Sequence, residues 1–193
     1  MKAILYASLL LITLASCEKD PVPPAQTPVP HPTMRYTDIA ATVKPGRTRT
    51  LDIDGDGGID FVFGVQRVGD PILQVDRVQY LVNSLQKRNL LVNEAEESPR
   101  LRRLERIGLV HTGFHWYEIA SIVLAEKFIG MSESWWDGIW KTADHHYLPV
   151  QMDRPEGKYQ GWVEISFSTI TEELILHRAA LSLEANKEIQ AGY

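Results

Sequence analysis

The chain reads as mainly β, an antiparallel sandwich or barrel-like single domain, and three observations carry that expectation. The stretch "GWVEISFS" alternates Val163, Ile165 and Phe167 against Glu164, Ser166 and Ser168, the period of a half-buried strand. Short runs of this kind recur between turns such as "PEGKYQG", where Pro155 and Gly157 reverse the chain. About 155 residues follow a proline-rich segment, enough for one domain with a sizeable core.

The N-terminal stretch "MKAILYASLLLITLASC" has a basic start at Lys2, an apolar run from Ile4 to Leu14, then Ala15, Ser16 and Cys17. This is the layout of a signal peptide over residues 1–16. The run is shorter than the ~20 residues a membrane-spanning helix needs. Its ending, Leu14-Ala15-Ser16-Cys17, resembles the lipobox of bacterial lipoproteins, and Cys17 is the only cysteine in the chain. The resemblance implies a diacylglyceryl group on the Cys17 sulfur, cleavage just before it, and a partner in the membrane. It also implies a cell-envelope address, that of an outer-membrane lipoprotein. Glu18 and Asp20 loosely match the acidic stretch that accompanies surface export in Bacteroidetes-type lipoproteins, so the periplasmic and surface sides both stay open. A single cysteine forms no disulfide within the chain, which leaves the fold to its core and to any metal.

Residues 17–35 then read as the lipidated cysteine and a stalk. In "DPVPPAQTPVPHPT" the spacing of the prolines forbids helix and sheet and favours an extended polyproline strand. At ~3.1 Å per residue this spans roughly 40 Å. Residues 36–193 form the β-rich domain. The formal net charge of −5 gives no footing for nucleic acid.

Within the domain, "RTRTLDI" and "ILQVDRVQYLV" read as strands, the second with one wet face. "DFVFGVQRV" is a dense apolar run that fits a strand buried on both faces. Leu101, Leu104 and Ile107 fall at three-residue spacing behind Ser98 and Pro99, which admits one short helix, with Arg100, Arg102, Arg103 and Arg106 on its solvated face. "FHWYEIASIVLAEKFIG" is compatible with helix or strand, and its β-branched and aromatic content favours strand. "ELILHRAAL" closes the series, with Leu174 and Leu176 on one side and Ile175 and His177 on the other.

The loop "LDIDGDGGIDF" concentrates negative charge. Asp52, Asp54, Asp56 and Asp60 occupy positions 1, 3, 5 and 9 of the pattern D-x-D-x-D-G-x-x-D. Hard oxygen donors at that spacing wrap calcium, with a backbone carbonyl from position 7, here Gly58, and a sharp turn at Gly57. Two carboxylates ~4 Å apart repel by ~4 kcal/mol at an effective dielectric of 20, so four converging acids call for a cation. The loop resembles the calcium loops of FG-GAP repeats and the first nine positions of an EF-hand. Position 12 is Phe63 rather than a bidentate glutamate, which excludes a helix–loop–helix sensor and points to a loop between two strands. The alternative is a solvated turn with the acids splayed outward.

The C-terminal segments "YQGWVEISF", "LILHRAAL" and "NKEIQAGY" resemble the tail of a group of small secreted bacterial proteins with a YGW strand, whose N-terminal part carries a similar aspartate loop. The resemblance implies a plan and no activity. Its tyrosine and glutamate are missing at Ala179-Ala180-Leu181, and residues 83–150 show no match.

No G-x-S-x-G elbow or phosphate-binding glycine loop is present, and His111, His115 and Glu118, like Asp144, His145 and His146, lack a zinc-site pattern. The expectation is therefore a non-catalytic envelope protein with a structural or protein-interaction role. The alternative is glycan capture: Trp135, Trp136 and Trp140 in "SESWWDGIW" offer faces that stack on sugar rings, with Asp137 to accept hydroxyl hydrogen bonds. Exposure of these tryptophans discriminates the two, since a fully buried one stacks on nothing.

Overall fold

Every regular element that the computed structural model describes, over residues 31–193, is a β-strand. Six strands make one antiparallel sheet: β1 (Met34–Val43), β5 (Arg88–Val92), β7 (His115–Glu118), β10 (His146–Arg154), β11 (Gly157–Ser168) and β12 (Glu173–Ser182), in the order β1-β12-β11-β10-β5-β7. Five make the other: β2 (Arg49–Leu51), β3 (Phe61–Asp70), β4 (Val75–Ser84), β8 (Ser121–Ile129) and β9 (Ser134–Asp137), in the order β2-β3-β4-β8-β9. The remaining two, β6 (Arg106–Ile107) and β13 (Ile189–Gln190), pair with each other. The sheets form a sandwich-like arrangement and not a closed barrel.

The alternating patterns explain the core. Phe61, Phe63, Tyr80 and Val82 from the five-stranded sheet meet Leu148, Val150, Val163, Ile165, Leu174 and Leu176 from the six-stranded one, all buried. Each large aliphatic side chain that leaves water there contributes about 1.5–3 kcal/mol. Between Val163 and Ile165 the β11–β12 register shifts, which carries Ala179 and Leu181 of β12 onto the core side while His177 stays outside. The β1–β12 pair shifts likewise between Asp38 and Ala41, at a left-handed Ala40. That bulge interrupts the one long strand on a sheet edge. The other edges, β2, β7 and β9, are no longer than 4 residues, which limits pairing with other chains.

Two expectations need correction. Residues 98–107 form no helix. Leu101 bridges to Tyr147, Leu104 is left-handed at φ 69°, and Arg106 and Ile107 pair with β13. Extended chain wins there because Ile107, with Ile189 and Ala191, caps the outer face of the six-stranded sheet over Tyr147, Trp162 and Ala180. On the same face Glu164 and Ser166, which sequence alternation places in water, are buried as well, against His145, His177 and Arg178. Secondly, β3 is buried on both faces only in its first residues. From Gln66 to Gly69 it is exposed, because the strand has run past the buried core, whose last β3 member is Val65. The first strand, β1, begins at Met34. The expected signal peptide, Cys17 and most of the expected stalk lie outside the described residues. At the junction, His31 stacks on Tyr193 with ring centroids 3.7 Å apart.

Candidate metal centre

The aspartate loop joins β2 to β3, with Leu51 paired to Phe61 across its base. Its carboxylates are tied to its own amides. Asp52 accepts from Gly55 N at 2.5 Å and Gly57 N at 2.9 Å, Asp54 from Asp56 N at 3.1 Å, Asp56 from Gly58 N at 2.6 Å and Asp60 from Ile53 N at 2.7 Å. Gly55 and Gly57 are left-handed at φ 67° and 90°, a region that a Cβ penalises. At Gly55 a Cβ would also collide with the Arg35 guanidinium, which lies against the loop.

The acids do not splay outward together. Asp54 is nearly buried and Asp60 fully so, and one carboxylate oxygen each from Asp52, Asp54 and Asp60 lies within 4.8 Å of the others. Asp56 stays outside this group and is exposed, as is Gly58. Two arginines approach from the other sheet. Arg154, at the end of β10, donates to Asp54 Oδ2 at 2.5 Å. Arg88, at the start of β5, donates to Asp60 Oδ1 at 2.5 Å and sits 4.0 Å from Asp54 Oδ2. Burial pushes the Asp54 carboxyl up, but the Arg154 and Asp56 hydrogen bonds outweigh it and hold the group below its ordinary value. For Asp60 burial wins over Arg88 and Ile53, and the carboxyl is pushed up.

The donor set fits a hard cation. It is all carboxylate oxygen, and a carboxylate carries about four lone-pair sites, so accepting an amide hydrogen bond leaves room for a metal. The arginines set a limit on that fit, since they already neutralise part of the charge of Asp54 and Asp60. No sequence signal points to them: Arg88 lies 28 residues from Asp60 and Arg154 lies 100 from Asp54.

The tryptophans separate by burial. Trp140 is fully buried, its Nε1–H donating to Ser98 O at 3.0 Å, which removes it from any stacking role. Trp136 is half-buried against Tyr80 and Phe167 in the core. Trp135 is 43% exposed and stacks parallel to Phe128, centroids 5.1 Å apart.

The histidines do not gather into a metal site. Among the described residues, Asp52, Asp54 and Asp60 are the one such group of acids or histidines. His111 accepts from Gly108 N at 3.0 Å instead. His145, in contrast, belongs to a cluster that sequence reading missed. It stacks on His177, centroids 4.1 Å apart, and its Nδ1 is 2.7 Å from Glu164, which also accepts from Arg178 Nε at 2.7 Å. Ser166 Oγ lies 2.9 Å from His177 Nε2. The outward positions of Glu164, Ser166 and His177 on adjacent strands were the available signal.

No family model, no curated protein and no solved structure matches the chain.

Proposed function

We propose that this chain is a lipid-anchored cell-envelope protein whose domain is held together at one end by a structural calcium ion, with an interaction or structural role rather than a catalytic one. The observation that supports the metal is the convergence of Asp52, Asp54 and Asp60 within a loop whose glycines and amides hold them there. Arg88 and Arg154 pair with Asp60 and Asp54, and the Arg35 guanidinium lies against the loop at Gly55, so the arginines offset much of the charge of the four aspartates without removing it. Asp56 and the Gly58 carbonyl complete the donor set in this reading. Calcium would add a cross-link between β2 and β3 at millimolar extracellular concentrations, where modules of this kind bind with dissociation constants of ~0.1–1 mM. The anchor rests on the lipobox-like ending at Cys17, and its partners are the membrane through that residue and a second envelope component.

The test is a thermal melt of the full chain in 10 mM calcium and in chelator. With that affinity the ion stabilises by about 1.4–2.7 kcal/mol. At ~2–4 °C per kcal/mol this raises Tm by roughly 3–10 °C. Asp52→Asn combined with Asp54→Asn removes the gain. Superimposable curves for the unmutated chain would show that the two arginines alone satisfy the loop. The anchor is checked separately by mass: Cys17→Ala leaves the chain without lipid and releases it from the membrane fraction or holds it as precursor.

A further inference from the structure

We propose that the outer face of the five-stranded sheet is a binding site for neutral glycans, built on Trp135 as a stacking platform with Glu126 and Asp137 as hydroxyl acceptors. This inference does not rest on the calcium site.

The register of the sheet sets two rows side by side. Arg77, Phe128 and Trp135 face one another across β4, β8 and β9, and Gln79, Glu126 and Asp137 do so one step along the same face. The first row is an aromatic stack. Phe128 lies parallel to Trp135, and the Arg77 guanidinium sits over the Phe128 ring at 5.0 Å. These contacts fix the indole, so stacking a sugar on it freezes no extra rotamer. The second row is a hydrogen-bonded chain. Gln66 Nε2 donates to Gln79 Oε1 at 2.7 Å, and Gln79 Nε2 donates to Glu126 Oε2 at 3.0 Å. Arg77 donates to that same Oε2 through Nε at 2.9 Å and Nη2 at 2.6 Å. Every hydrogen bond to Glu126 arrives on Oε2, and among the described residues Oε1 receives none. A carboxylate held by three donors with its second oxygen unoccupied is a preorganised acceptor for a ligand hydroxyl.

Alongside this row runs a groove of about 480 Å³, bordered by Arg77, Glu126, Asp137, Lys141, Ser121 and Glu96. That volume lies in the range that holds small ligands. Its charge selects against anions. Arg77 neutralises Glu126, and Lys141 lies 3.5 Å from Asp137, so the two acceptor carboxylates are themselves matched by cations. Glu96 and Glu97, also in the lining, leave the groove net negative and repel an anion such as a uronate or phosphate. The Trp135 plate stands outside this groove, one row over on the same face, so a ligand lying across both meets an apolar plate beside hydroxyl acceptors, the complement of a neutral pyranose, whose ring face is apolar and whose rim is hydroxylated. Burial removes Trp140 from this platform and commits Trp136 to the core, which leaves Trp135 as the residue that carries it.

The experiment titrates the full chain with cellohexaose, xylohexaose, mannohexaose, laminarihexaose, maltohexaose and N-acetylchitohexaose, followed by calorimetry and tryptophan fluorescence. Binding of at least one of these is expected, weakened tenfold or more by Trp135→Ala and by Glu126→Gln. Asp137→Asn, at an exposed side chain, provides a variant that leaves the Phe128 stack and the Arg77 pair intact, and a weakening of at least threefold is expected there. Melting curves check that each variant is folded. Absence of binding to the whole panel at 10 mM overturns the proposal. So does binding that all three variants leave unchanged, or tighter binding of oligogalacturonate or chitosan oligomers than of every neutral sugar.

Discussion

Replacing Arg88 by methionine leaves the carboxylate of Asp60 without its ion partner in a place where no water reaches it. Asp60 is fully buried, and apart from Arg88 its side chain has one hydrogen bond, from Ile53 N. Methionine matches the length of the arginine stem and keeps its packing, so the change isolates the charge. Removing one partner of a buried pair costs about 3–5 kcal/mol, because an uncompensated charge remains. In a domain of this size that lowers Tm by roughly 6–20 °C. The loss depends on pH, with a definite sign. Burial already raises the Asp60 carboxyl above its ordinary value, and Arg88 opposes that rise. Without Arg88 the folded-state value climbs further. A raised carboxyl favours the protonated form in the folded chain, so the penalty is largest near neutrality and shrinks as pH falls through the folded-state value. Urea unfolding of wild type and Arg88→Met in chelator at pH 7.5 and at pH 5, followed by tryptophan fluorescence, measures both numbers. A difference below about 1 kcal/mol at pH 7.5 would refute the argument, since surface pairs lie in that range. A penalty equal at both pH values would show that Asp60 keeps its charge without the arginine.

Two further outcomes follow from positions outside the loop. Gly138→Ala should destabilise the domain by more than the ~1 kcal/mol expected of an ordinary helix or strand glycine, because Gly138 is left-handed at φ 96° and its Cβ would lie 2.7 Å from Leu124 O; unchanged urea midpoints would show that the turn yields. Acidification should weaken the domain in two windows. Burial and the stacked His145 hold His177 below the ordinary histidine value, so its contribution is complete above about pH 6.5 and declines as pH falls below it. Burial raises Glu164, but Arg178 and His145 outweigh it and hold it low, so its contribution fades further down, below the ordinary carboxylate range. His177→Asn should flatten the first window when stability is measured between pH 7.5 and pH 5, and a slope equal to wild type would count against the stacked pair.

Legibility in the sequence followed locality. β11 and β12 were readable because their period of two is written in adjacent residues, and the aspartate loop because its spacing lies within nine positions. The same loop's electrostatic partners were invisible, since Arg88 and Arg154 reach it only through the pairing of β5 with β10 on the opposite sheet. The three tryptophans share one short segment yet have three fates. Which face Trp135 and Trp136 take depends on the β8–β9 register, and Trp140 turns inward only because the tight turn at Gly138 lets its amide bond to Leu124 O. The layer over the six-stranded sheet was misread for a different reason. Its spacing of Leu101, Leu104 and Ile107 imitates a helical stripe, while Ile107 sits mid-domain and its cover partners, Ile189 and Ala191, lie far from it in sequence, near the C-terminal end.

The pairing of β1 with β12 bears on when the domain finishes folding. Thr33 N donates to Glu184, 151 residues onward, and Met34 faces Ser182. A chain that emerges N-terminus first, from a ribosome or through a translocation channel, therefore presents β1 long before its partner strand exists. The β3–β4 hairpin can close at once, but the six-stranded sheet stays open at β1 until nearly the last residues are free. Closing so long a loop is slow for entropic reasons, and folding rates fall as contacts become more distant in sequence. Until then β1 is an unpaired edge, the kind of segment that pairs with other chains.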